Sequence, residues 1–496
     1  ENLLELCTTC LRAISEVIAS PALAKYLRHS TADSSEIIVR FWQDLLLIQS
    51  ICNSNLATQD DANSDFWASI SEMTNETLES IHLHLPSPIF LAFATSLVKE
   101  SESEDLRARA LQLIAERSLM LDSTDPESGL FLDMLPYFTS LLDSEGPTAT
   151  GPALQQAALL AIEHITRKAC CSNEGPGLKY LASVSEALVK TSKVIEKLFQ
   201  EIDMKKMKTS ALDNSYVQLL CTATLCAATE VRACRARSIP SLPHLLKPTC
   251  QLLGKVNGQV SSSPELQGDE SQSRILQLSC LRLLSSVVET IPQFLAPYLT
   301  DLLKAEVLPS STGRDTNDDQ GLAVTAAATK LCEMIALKVP ARQLLAPLTH
   351  TLTQTRKEVG VVVLLDIMTN SIKNSKPAEI GVKIDAILKA GTFVFDFSQD
   401  HEHQDDLVKT ATNMFKAFVL KLSEVQLRSL YAKLRAWRGD FDKAEPNASA
   451  SRRFCFWHLS ASLALDLKSI FLPCLATVFT DGVNELVSLL TQACLI

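Results

Sequence analysis

LLKP at Leu245–Pro248, FLAP at Phe294–Pro297 and LLAP at Leu344–Pro347 are one short pattern met three times along the chain. Each has two apolar residues, a variable one and a proline, and the prolines are 49 and 50 positions apart. A proline early in a helix costs little, because the first N–H groups of a helix have no intrahelical partner. Each motif is therefore read as the start of a helix that follows another apolar helix. The pairs are Ile275 to Thr290 with Phe294 to Leu303, and Leu322 to Leu337 with Gln343 to Leu352. Met134-Leu135-Pro136 and Phe471-Leu472-Pro473 are weaker echoes. Helix pairs recurring every 40–50 residues or so mark a HEAT-type repeat, in which one pair cannot bury its apolar face alone and neighbours must stack. The expectation is an all-α fold: a HEAT-type α-solenoid of stacked antiparallel helix pairs, with Pro248, Pro297 and Pro347 in the first turns of successive second helices.

Composition agrees. The chain has 496 residues, 46% of them apolar, with only 15 glycines and 6% aromatics. That balance favours helices over a β-rich fold. The length exceeds what one core supports. We divide it into helical repeats over 1–239, repeats over 240–400, and C-terminal repeats with a basic region over 401–496. Val260 to Ser273 and Ser310 to Gln320 read as mobile insertions, being rich in Ser, Asp, Gly and Gln. The 14 cysteines fall mostly in helical apolar patterns, as at Cys221, Cys226, Cys280 and Cys332, so free buried thiols are expected. Cys7 and Cys10, a CxxC at helical spacing, are read the same way, because no second ligand pair accompanies them. The longest apolar run, Val359 to Leu365, falls short of a membrane span, so no membrane contact is expected. The chain opens at Glu1 without a methionine and is read as a fragment.

Charge is distributed unevenly. The whole chain carries −11, which confines any nucleic-acid binding to a local patch. Glu100 to Glu145 holds 11 acids and 3 bases and is read as a solvated acidic face. Lys193, Lys197, Lys205, Lys206 and Lys208 close a helix whose C-terminal dipole suits cations. Between Lys409 and Lys468 the sign reverses, with 11 Lys/Arg against 5 Asp/Glu. Ser423-Glu424-Val425-Gln426 is a capping box opening a helix there. Leu427, Leu430, Tyr431, Leu434 and Trp437 recur at helical spacing on its apolar face, with Arg428, Arg435 and Arg438 off it. A helix from about Ala450 carries Arg452 and Arg453, and Pro473 opens its partner. Arginine forks match phosphate oxygens. The candidate contact residues are therefore Arg428, Arg435, Arg438, Arg452 and Arg453, facing RNA or an acidic partner, with a plain solvated face as the alternative.

These residues carry a family resemblance. VLKLSEVQLRSLYAKLRAW (Val419 to Trp437), RRFCFWHLSASLALDLKSIFLPCL (Arg452 to Leu475) and CLRLLSSVVETIPQFLAPYLTDLL (Cys280 to Leu303) resemble the C-terminal region of the U-three small nucleolar RNA-associated protein ten family. The resemblance covers roughly 239–479. It implies a non-catalytic scaffold of the small-subunit processome (the 90S pre-ribosome) in the nucleolus, supporting pre-rRNA processing toward the small-subunit rRNA. The partners it implies are other processome proteins, the pre-rRNA 5′ external transcribed spacer and the U-three snoRNP. The alternative is a HEAT-repeat nuclear transport receptor, or another adaptor that binds proteins alone.

No phosphate-binding, dinucleotide, nucleophile-elbow or zinc-protease motif occurs. No enzyme activity, cofactor, metal or small-molecule substrate is expected. His82 and His84, and His401 with Glu402 and His403, are read as polar turns rather than metal ligands. Phe393, Phe395 and Phe397 alternate and are read as packing along a short extended linker rather than a base-stacking platform.

Overall fold

Apolar residues return every three to four positions through most of the chain, and the backbone follows them into helices. The computed structural model describes residues 2–18, 20, 32–57, 64–101, 103–120, 127–143, 151–171, 178–205, 214–260, 270–304, 319–398, 404–439 and 446–493. Among these residues there is no strand. The two expected insertions and the His401–His403 cluster fall largely outside them. The chain forms two compact units, Glu1–Leu245 and Leu246–Ile496.

The first unit contains α1 (Asn2–Ile18), α2 (Ala32–Ala57), α3 (Ser64–His84), α4 (Ser87–Glu100), α5 (Glu104–Met120), α6 (Ser128–Asp133), α7 (Leu135–Ser140), α8 (Pro152–Cys171), α9 (Leu178–Lys205) and α10 (Asn214–Cys234). α2, α5, α8 and α10 pack successively in one layer, while α7 packs on α9 in the other. Around α8, α9 and α10 the core is Leu- and Ala-rich and holds two buried acids, Glu163 and the fully enclosed Glu230. Its Oε1 accepts a hydrogen bond from Thr191 Oγ1 at 3.2 Å. Burial pushes this carboxyl up to about 8, and the Glu163 charge adds to the rise, against hydrogen bonds from Thr191 and Cys226. Glu163 is itself held by Thr229 Oγ1 at 2.9 Å and by Arg167.

The chain continues through α11 (Leu242–Val260), α12 (Glu270–Thr290), α13 (Leu299–Leu302), α14 (Asp319–Lys338), α15 (Ala341–Gln354), α16 (Glu358–Asn374), α17 (Pro377–Gly381), α18 (Ile384–Phe397), α19 (Gln404–Val419), α20 (Glu424–Gly439), α21 (Pro446–Leu467) and α22 (Leu472–Ala493). In the second unit α12, α14, α16, α19 and α21 pack on one another in that order. So do α13, α15, α18, α20 and α22. Successive helices thus alternate between two layers, which is the stacked-pair arrangement of a HEAT-type solenoid.

Two of the three repeat prolines sit deeper than the first-turn expectation. Pro248 and Pro347 are each the seventh residue of their helix, and Pro297 lies in the 3-10 turn Ala296–Tyr298. The helix starts are marked by other prolines: Pro243 in the first turn of α11, Pro292 opening the 3-10 turn Pro292–Phe294, and Pro340 as the N-cap of α15. The LLxP motif therefore reports one position of the repeat, not its first turn. A seventh-position proline leaves the third residue's carbonyl without its helical donor. Those residues are exposed His244 and half-buried Gln343, where water can replace the missing donor. The expected helix Phe294 to Leu303 is correspondingly broken, ending in the short α13.

Two further expectations change. Phe393, Phe395 and Phe397 lie in helix α18, not in an extended linker. Phe393 and Phe397 are one turn apart and stack at 5.9 Å, whereas Phe395 turns inward onto Phe415 at 5.7 Å. Gly391 admits that approach, since a Cβ there would collide with the Phe415 ring. Second, residues 450–487 are long and apolar enough to cross a membrane by length and composition, although no single run of letters shows it. That stretch is two helices, α21 and α22, broken by the 3-10 turn Lys468–Phe471, where Lys468 has φ 46°.

Candidate interface at the C-terminal arginines

The capping box forms as its letters require. Gln426 Oε1 accepts from the Ser423 backbone N–H at 3.0 Å, and Ser423 Oγ accepts from the Gln426 N–H at 3.4 Å. The cap fixes where α20 begins and hence which of its residues face inward: Leu427, Leu430, Tyr431 and Leu434 are buried. Tyr431 packs on Phe456 at 5.5 Å and edge-on to Phe471 at 5.7 Å. Its hydroxyl shares a hydrogen bond with Ser460 at 3.2 Å. Burial pushes that phenol up to about 12.

Each of the five arginines meets a carboxylate. Arg428 pairs with Glu424 on its own helix at 2.6 Å. Arg435 reaches Asp481 on α22 at 2.6 Å. Arg438 lies 3.5 Å from Asp481 and 3.6 Å from Glu485. Arg453 lies 3.6 Å from the other Glu485 oxygen. Arg452 grips both oxygens of Asp396 on α18, at 2.6 and 2.9 Å. Trp437 Nε1 donates to the same carboxylate at 3.4 Å. α20 and α21 are thereby tied to α22, and α21 to α18.

The reading that the arginines stand off the packed face holds for Arg428 and Arg435, and is corrected for Arg438 and Arg452. The Arg438 guanidinium lies over Phe456 at 4.7 Å and Trp457 at 5.5 Å. Arg452 lies over Trp437 at 5.5 Å. Side-chain exposure ranks them 62% for Arg428, 50% for Arg435, 40% for Arg453, 24% for Arg452 and 15% for Arg438. Guanidinium edges turned to solvent remain on the first three. Sequence reasoning missed the acidic partners because Asp396, Asp481 and Glu485 lie outside the charged window from Lys409 to Lys468. A signal existed: Arg435 and Arg438 are three apart and Asp481 and Glu485 four apart, so each pair marks one stripe of a helix.

The other singled-out residues do not join this site. Cys7 is half-buried and Cys10 exposed on α1, so Cys10 departs from the expected core packing. His82 and His84 fall at the end of α3. Among the described residues, no group of three or more His, Cys, Asp and Glu is arranged to hold a metal.

Two layers of stacked helices make this a HEAT-type helical-repeat protein, its C-terminal pairs tied by arginine–carboxylate contacts. Residues 384–493, which include all five arginines, match the BP28CT (NUC211) domain. The chain is 23% identical over 448 residues to the HEAT repeat-containing protein 1 homolog of Dictyostelium discoideum, covering 80% of this chain and 18% of that protein. It is 24% identical over 455 residues to HEAT repeat-containing protein 1 of Homo sapiens, covering 88% and 19%. It is 23% identical over 414 residues to U3 small nucleolar RNA-associated protein 10 of Schizosaccharomyces pombe, covering 82% and 22%. The resemblance seen in the sequence is thus to the family these proteins represent, and the chain spans about a fifth of their length. Among solved structures, the karyopherin Kap121p bound to RanGTP aligns with a TM-score of 0.40 and 14% identity, covering 97% of this chain and 52% of that one.

Proposed function

We propose that this chain is part of a non-catalytic scaffold in small-subunit ribosome assembly, acting in the nucleolus within the small-subunit processome and supporting pre-rRNA processing. The observation that carries this reading is the match of residues 384–493 to the BP28CT domain. Similarity along four fifths of the chain to a U3 small nucleolar RNA-associated protein supports it. In this reading Arg428, Arg435 and Arg453 use their exposed edges to meet RNA phosphates or an acidic subunit. Arg438 and Arg452 hold the helices that present them. Phosphate contacts position a protein without reading sequence, so binding through these groups is weak and nonspecific by itself.

The test is affinity purification of the tagged chain from cells, with crosslinking and mass spectrometry. Expected are processome subunits, and crosslinks from 428–453 to pre-rRNA or to an acidic neighbour. Recovery of transport cargo and a Ran-type GTPase in place of pre-ribosomal proteins would overturn the reading.

A further inference from the structure

The arginines are occupied by carboxylates, but a second basic surface lies beside them. Lys373 ends α16, Lys376 caps α17, Lys383 caps α18 and Lys421 lies in the turn between α19 and α20. Two contacts bring these segments to one place. Lys421 Nζ donates to the Lys373 carbonyl at 2.8 Å. A Cβ on Gly381 would stand 2.6 Å from Gln426 Nε2, so the end of α17 lies against the capping box that opens α20. Among the described residues no carboxylate forms an ion pair with any of these four lysines. The nearby acids are otherwise engaged: Glu424 pairs with Arg428, and Asp385 with Lys433. Asp366 on α16 is exposed and feels the Lys373 charge without forming an ion pair with it. Among the described residues, Asp366 and Glu379 are the exposed acids here that form no ion pair.

The same surface carries aliphatic side chains in water. Val382, next to Gly381, is 80% exposed; Val425, next to Gln426, is 78% exposed; and Leu420, preceding Lys421, is 59% exposed. Lysines with branched aliphatics and no exposed aromatic ring do not make a base-stacking platform, which requires aromatic or guanidinium faces. Pure phosphate contact would leave the valines idle. Four lysines outnumber the two unpaired acids beside them, so the surface keeps a net positive charge whose repulsion an acidic occupant relieves.

We propose that Lys373, Lys376, Lys383 and Lys421, with Val382, Val425 and Leu420, form a docking surface for an acidic polypeptide segment whose carboxylates alternate with aliphatic side chains. Carboxylates would meet the lysine ammonium groups, and the aliphatics would cover the valines. The surface stands independently of the ribosome-assembly reading, since it rests only on charge and exposure in the second unit.

The test is fluorescence anisotropy on the whole chain with three probes of matched length: a peptide of alternating Glu with Leu or Val, a peptide of alternating Glu and Ser, and an oligouridylate. Expected is binding of the Glu/Leu peptide about tenfold tighter than the Glu/Ser peptide, equivalent to about 1.4 kcal/mol. K373E/K376E should lose at least about tenfold for both peptides. V382S/V425S should bring the Glu/Leu peptide down to the Glu/Ser level. Glu379→Lys should tighten both. All five positions are surface sites, so melting temperatures should stay unchanged and exclude unfolding as the cause. No binding of either peptide, equal binding of the two, or tighter binding of the oligouridylate overturns the proposal.

Discussion

Asp481 is the residue on which the C-terminal arginines turn. It is 4% exposed and faces both Arg435 and Arg438. A buried charge that loses a partner keeps its desolvation penalty without the compensating contact. Arg438→Gln should therefore cost about 2–3 kcal/mol in denaturant unfolding, tempered because Arg435 stays in place. Arg428→Gln should cost less than about 0.5 kcal/mol, because its pair with Glu424 is exposed on one helix. Equal costs would refute the division into tying and presenting arginines. Glu230 gives the pH counterpart. Its folded carboxyl stands at about 8, above the usual carboxylate range, so the folded state holds this proton more tightly than the unfolded chain. The resulting stabilisation is fully present below the unfolded value and is lost as pH rises toward 8. Thermal melts between pH 5 and 9 should fall for the parent and flatten for Glu230→Gln; parallel curves would contradict the burial account. Thiols follow the same logic. Burial raises Cys250 and Cys332 to about 12, so an alkylating reagent at neutral pH should find exposed Cys10 first.

At the scale of the element, α20 has both its start and its buried face defined by local chemistry. Ser423→Ala removes the hydroxyl that caps Gln426 N–H and should cost about 1 kcal/mol. Leu430 is 1% exposed, so Leu430→Ala should cost about 2–5 kcal/mol, depending on how far the site collapses. The Ser423, Gln426 and leucine pattern was legible because a cap and a 3.6-residue period involve neighbours in sequence. The α13 region was not. A proline motif shows that a helix lies nearby, but the turn it occupies depends on the other prolines and on which carbonyl can reach water. Phe395 misled for a related reason: alternation over five residues fits an extended strand and also a helix that happens to bury one of its three rings.

At the scale of the molecule, each unit is built of helices that pack chiefly on their neighbours. Stability in such an array is a sum of repeat and nearest-neighbour terms, so damage stays local. Hydrogen exchange on Leu430→Ala should show faster exchange in α20 and in the helices it touches, α18, α21 and α22, while α5 and α8 keep their protection. Loosening that spreads evenly along all 496 residues would point to a single cooperative core instead.

The class of fold and the place of the basic region follow from residue order alone. Helical periodicity, caps and a repeat of about 50 residues are written in residues close together, and stacked pairs follow from an apolar face that no single pair can cover. What the arginines meet is set by contacts between helices far apart in the chain. Arg435 meets Asp481 across 46 positions and Arg452 meets Asp396 across 56, so a charge count along the chain registers a basic excess where the folded surface has ion pairs. The lysines of α16 to α18 and Lys421 are the converse. They are scattered in sequence and gathered in space, because a solenoid brings the turns of successive pairs to a common edge.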